Sequence, residues 1–176
     1  IPEVKERKWN FRQLFVNGER RLRPRLPKQG EYRIESLPDN DPKQDPWNQR
    51  VQRFVYAGDD IQPWHNLQDV EVVTIARWVD CRMFIQEVEV GKKLVTLDRA
   101  SRSGLVELYE TQPSVYWVEN IQEALDTPGQ WYLERPLGRL YYLPKPGEDM
   151  AQAEIIAPRL NQLVRVVGQE DKPVKL

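Results

Sequence analysis

The residues with chemistry to offer fall into four groups. Arg21, Arg23 and Arg25 alternate with Leu22, Pro24 and Leu26. In one extended strand, side chains at period two share a face, so three guanidinium groups would stand in a row. Such a row suits phosphate or an acidic polysaccharide. It suits equally well a set of ion pairs, because residues 1–30 hold nine Lys/Arg against three Glu while the whole chain has net charge −1. The second group is aromatic: Trp131, Tyr132, Tyr141 and Tyr142, with Trp64, Trp78 and Trp117 elsewhere. Sugar rings have an apolar C–H face that stacks on Trp and Tyr. Packing inside a domain is the other use of such residues.

Carboxylates form the third group. Glu119, Asp126 and Glu134 flank the aromatic stretch, and a glycosidase needs two carboxylates at a defined separation. Asp59-Asp60 would point to opposite faces if extended, which makes a poor acid/base couple. The fourth group is the stretch LPDNDPKQDPWN at 37–48. Asp39, Asp41 and Asp45 occupy positions 1, 3 and 7 of a calcium loop. Gln44 and Arg50 then stand where an EF-hand needs Gly and Glu, so a solvated loop is expected.

Other chemistries are excluded. His65 is the sole histidine and Cys81 the sole cysteine, so neither an internal disulfide nor the usual Cys/His zinc site can form within one chain. Ser103, in Arg102-Ser103-Gly104, lacks a nucleophile elbow. Neither a Walker loop nor a dinucleotide fingerprint is present, and no metal or cofactor is expected. With 26 Lys/Arg against 27 Asp/Glu and a pI of about 6.0, no overall charge draws the chain to nucleic acid or anionic membrane. No apolar run approaches the ~20 residues of a membrane-spanning helix. Six Trp, seven Tyr and four Phe argue against disorder despite a mean hydropathy of −0.70. The 176 residues make one domain. A chain beginning at Ile1 is expected to be a processed product or a piece of something larger.

The elements that must position these residues read as β. Short strand-like runs are separated by Gly, Pro, Asn and Asp, and 14 prolines leave little room for long helices. Twelve strands are predicted: 11–16, 19–25, 31–36, 52–56, 70–77, 83–90, 93–98, 114–118, 131–135, 139–143, 154–157 and 163–167. Asn17-Gly18 predicts a type I′ hairpin and Gly91-Lys92 a type II′ hairpin. Pro136 and Gly138 predict a type I turn followed by a Gly bulge. That register sets Tyr132 opposite Tyr142, with Trp131, Leu133, Tyr141 and Leu143 on the inward face. The Tyr132/Tyr142 face is then expected to meet a lid, a missing domain or a sugar. Asn120 with Glu123 predicts a capped helix of about two turns. The expected fold is all-β: an antiparallel β-barrel or sandwich with one or two short helices.

Several segments together carry a resemblance. They are Arg12-Gln13-Leu14-Phe15-Val16-Asn17-Gly18-Glu19-Arg20-Arg21, Arg23-Pro24-Arg25-Leu26-Pro27, Val118-Glu119-Asn120 with Glu123-Ala124-Leu125-Asp126, Pro128 to Glu134, and Gly138 to Pro144. The set resembles the antiparallel β-barrel or jelly-roll-like domain inserted in bacterial right-handed parallel β-helix proteins of the carbohydrate-active kind, glycoside hydrolases among them. The closing 171–176 is similar to the junction where β-helix coils resume. The resemblance implies a single accessory domain over 1–176, whose partner is the β-helix domain of its parent and whose ligand is a polysaccharide. The parent would be secreted or periplasmic. It implies no catalytic residue here, because the family's carboxylates are expected on the β-helix. The ligand-binding candidates are Trp131, Tyr132, Tyr141, Tyr142, Arg21, Arg23 and Arg25. The alternatives are a self-contained glycosidase using Glu119, Asp126 or Glu134, and a purely structural module without ligand.

Overall fold

A computed structural model of the chain describes residues 1–76, 78–107, 112–160 and 162–168. Six strands close into an antiparallel barrel: β4 (Tyr32–Ser36), β5 (Arg53–Tyr56), β6 (Glu71–Ala76), β7 (Val79–Glu89), β8 (Leu94–Leu97) and β9 (Val115–Glu119). Their order around the ring is β4-β5-β8-β7-β6-β9, and β9 pairs back onto β4 at Tyr32↔Tyr116. Closure leaves no free edge, which settles the choice between barrel and sandwich. The eleven residues of β7 make this possible. Val79–Phe84 pair with β6 and Ile85–Glu89 with β8, across an irregularity between Ile85 and Glu87 that turns the strand from one neighbour to the next.

The barrel is filled by alternate residues of each strand: Ile34, Phe54, Tyr56, Val72, Ala76, Cys81, Met83, Ile85, Val95, Leu97, Tyr116 and Val118. Period two in the sequence thus becomes inside and outside here.

A smaller annex leans on the barrel. β1 (Leu14–Val16) pairs with β2 (Glu19–Arg21) and with β12 (Ile155–Ile156). A hairpin of β10 (Trp131–Glu134) and β11 (Arg139–Tyr142) covers them. Val4, Phe11, Leu14, Val16, Trp131 and Leu133 form its core, with Phe11 stacked on Trp131 at 5.4 Å. A short strand β3 (Arg25–Leu26) extends the barrel by pairing with the end of β9. The hairpin is welded to the barrel by buried polar contacts. Arg135 donates from Nε to Asp69 at 2.8 Å, and its backbone N–H to the other oxygen at 2.9 Å. Asn120 donates to the carbonyls of Asp69 and Leu133 and accepts the Leu133 N–H.

Several expectations need correction. Asn17 and Gly18 do adopt positive φ, 52° and 76°, and Val16 pairs with Glu19. At 91–92 the predicted register holds, with Val88 opposite Val95, but the turn differs. Val90–Lys92 form a 3-10 turn and Lys93 takes the left-handed conformation at φ 52°, so Gly91 is not the pivot. The Pro136/Gly138 turn forms, with Gly138 N–H donating to Arg135 at 3.0 Å, but without the bulge. The register is therefore one residue away from the predicted one: Trp131↔Tyr142 and Tyr132↔Tyr141. A one-residue slip exchanges faces, so Tyr142 shares a face with Trp131. Both Trp131 and Tyr132 are fully buried.

Asn120 begins no helix. It sits at φ 64° and bridges two segments, leaving only a 3-10 turn at Gln122–Ala124. The α-helix among the described residues is Pro2–Lys5, which the proline pattern did not suggest. The predicted strand 19–25 is split at Leu22, which makes a parallel bridge to Gln130. Residues 163–167 form no strand. The segment 171–176 lies outside the described residues.

Candidate functional site

The split at Leu22 decides where the arginines go. They do not share one strand face, yet all three line one groove of about 620 Å³, with Arg12, Arg20, Lys28, Arg82, Trp117 and Glu119. Two of the lining arginines hold Glu71, fully buried on the outward side of β6. Arg12 donates to it from Nε at 2.6 Å and Arg23 from Nη1 at 2.5 Å. Burial alone would push the Glu71 carboxyl up. The charge of Arg23, with the hydrogen bonds from Arg12 and Arg23, outweighs it and holds the group below the usual carboxylate value.

Glu119 is the second carboxylate. It accepts from Arg82 at 3.1 Å, from Arg23 at 3.3 Å and from the Trp117 indole at 2.8 Å. The Arg25 guanidinium lies 4.9 Å from the Trp117 ring centroid and donates to the Gly30 carbonyl. Arg21 is buried within the annex and is engaged by Glu19, Glu148 and the Val16 carbonyl. The Nε atoms of Arg21, Arg23 and Arg25 are buried without a hydrogen-bond partner. Seven cationic side chains and one carboxylate line this groove.

The aromatic residues of the hairpin do not line this groove, although the Arg23 guanidinium lies 5.8 Å from the Trp131 ring centroid. The Trp131 indole donates to the Arg21 carbonyl at 3.2 Å inside the annex. Tyr132 is enclosed, its hydroxyl accepting from Asn66, and burial pushes it up to about 12. Tyr141 and Tyr142 are half-buried, and their hydroxyls donate to Glu134 and Glu148 at 2.9 and 2.6 Å. Glu134 also takes His65 Nε2 at 3.0 Å and Asn66 at 3.1 Å. Burial pushes its carboxyl up, but these partners outweigh it and hold it low. Asp126 pairs with Lys28 and Thr127. Glu119, Asp126 and Glu134 are thus each held in a separate set of contacts. In the acidic loop Asp39 pairs with Arg53, Asp41 bonds Lys43 N–H and Gln44, and Asp45 caps Trp47.

Sequence reasoning missed Glu71, Arg12 and Arg82. The signal for Glu71 was present: a lone acid within Val70–Val73 has to be paired if the strand is buried. Its partners are far away in sequence and left no local trace.

The chain is thus a closed all-β barrel with an annex in which β1 pairs with β12. Residues 1–145 match the GH141 insertion domain, and the chain belongs to that family of insertion domains of glycoside hydrolases. A solved glycoside hydrolase shares the fold with TM-score 0.66 at 24% identity, over 94% of this chain and 29% of that one. The chain thus spans under a third of that protein's length. No curated protein matches.

Proposed function

We propose that the domain is a rigid insert that braces the β-helix of a secreted or periplasmic glycoside hydrolase and walls its substrate cleft. The arginine-lined groove is its contact with acidic polysaccharide. The observation that carries the bracing is an exposed apolar run that follows a segment pinned to the annex. Phe15 pairs with Ile156, the Trp9 indole donates to the Pro158 carbonyl at 3.0 Å, and Glu3 pairs with Arg159 at 3.3 Å. Beyond them Leu160, Leu163, Val164, Val166 and Val167 stand 53–87% exposed, an apolar run that asks for cover.

The test is Leu163→Asp with Val166→Asp in the full-length protein. The expected result is a lower melting temperature and weaker hydrolysis by the host, with barrel circular dichroism intact. Unchanged melting and turnover would remove the bracing role. For the groove, Arg20→Glu should weaken retardation by polygalacturonate in affinity electrophoresis and leave melting unchanged.

A further inference from the structure

At the tip of the β6–β7 hairpin, Trp78 is 74% exposed, the most exposed aromatic ring among the described residues. Its centroid lies 5.7 Å from that of Trp47, with the ring planes inclined at 49°. The two indoles form one wall of a hollow of about 590 Å³, lined further by Val79, Asp80, Arg102 and Ser103. A second hollow of about 470 Å³ adjoins it, sharing Asp80 and Arg102 and adding Arg50 and Arg99. Each is within the size range of small-molecule sites.

The Trp47 side is built firmly. Asp45 accepts the Trp47 N–H at 3.0 Å, and the Trp47 carbonyl accepts the Gly104 N–H at 2.7 Å. Gly104 permits this approach, since a Cβ there would lie 1.9 Å from the Pro46 carbonyl oxygen. Around the exposed ring the surface is polar. Arg102 has no ion-pair partner among the described residues, Asp80 holds only a 3.4 Å contact with Arg82, and the Ser103 hydroxyl is buried without a partner. A protein-docking face would surround such a ring with apolar area. Here one aromatic face is ringed by polar groups with hydrogen-bonding capacity to spare, the chemistry that a sugar ring presents in reverse: an apolar C–H face edged by hydroxyls.

We propose that Trp78, Trp47, Arg102 and Asp80 form a saccharide-binding subsite. The C–H face of a pyranose unit stacks on Trp78. Arg102 donates to its hydroxyl oxygens and Asp80 accepts from its hydroxyls. This site is separate from the arginine-lined groove, and it rests on the reading of the chain as part of a carbohydrate-active protein.

The experiment is affinity electrophoresis of the full-length protein in gels containing neutral polysaccharides, galactan or xylan, which the cationic groove does not select. The expected result is retardation that Trp78→Ala weakens about tenfold or more, the scale of one lost ring contact. Trp78→Tyr restores most of it, and Arg102→Ala weakens it by less. Equal retardation of the wild type and Trp78→Ala would overturn the subsite. Absence of retardation in both gels would also overturn it, and hydrolysis of aryl glycosides by the same protein would report separately on the carbohydrate-active reading. A fall in melting temperature in Trp78→Ala without a change in retardation would place the ring against another part of the protein, again overturning the proposal.

Discussion

The barrel and the annex are held together by different forces. The barrel closes its backbone ladder on itself around a filling of Phe54, Met83, Ile85, Leu97 and Tyr116, all at most 2% exposed. The strands of the annex are only two to four residues long, and such pieces have little stability alone. It borrows order through polar contacts across the junction: Arg12 and Arg23 on Glu71, Arg135 on Asp69, and Asn120 on Asp69 and Leu133. The difference teaches that apolar periodicity suffices for a closed barrel. A satellite of short strands needs directional bonds, each of which is costly to break once buried.

The largest effects should come from the two cores. Phe54→Ala should cost about 3–5 kcal/mol and lower protection of all slowly exchanging amides together. Trp131→Ala removes a comparable volume, but its loss should appear in hydrogen exchange at 14–21 and 131–142 while 71–76 stay protected. Equal loss of protection everywhere in both variants would erase the distinction between the regions.

Glu71→Gln tests the weld. It leaves Arg12 and Arg23 facing a neutral group in a buried site, and denaturant titration should show a loss of about 3 kcal/mol. A loss within about 0.5 kcal/mol, the range typical of surface changes, would show that the annex is held by its apolar cluster alone.

Acid sharpens the same contrast. Glu71 and Glu134 are both held below their ordinary value of 4.5. A lowered carboxyl contributes stability that is full above about pH 4.5 and is lost as pH falls through the folded-state value. Amide protection factors in the annex should therefore fall below pH 4.5 before those of the barrel, and Glu134→Gln should flatten part of this dependence. The smallest effect is expected from Asn120→Ala. It loses the bridge to Asp69 and Leu133 and keeps the unfavourable φ of 64°, for about 1–3 kcal/mol by thermal unfolding.

What the chain decides by itself is local. Asn17-Gly18 forces its turn because positive φ is easy for those residues. Alternation along 32–36 and 53–56 makes strands because a pleat has period two. The resemblance carried by the segments from Arg12 to Pro144 reached the insertion-domain family for the same reason: short runs of turn and strand residues stay legible one by one. The arginine row was legible as charge and not as position. Whether 19–25 runs straight depends on Leu22 meeting Gln130, more than a hundred residues away. The hairpin register at Trp131–Tyr142 turned on one residue, and a Pro-x-Gly turn with or without a bulge looks the same in sequence. Glu71, Arg12, Arg23, Arg82 and Glu119 were brought together only by closure of the barrel and docking of the annex. Loop closure and buried charge pairing act between residues distant in the chain, so no local pattern records them.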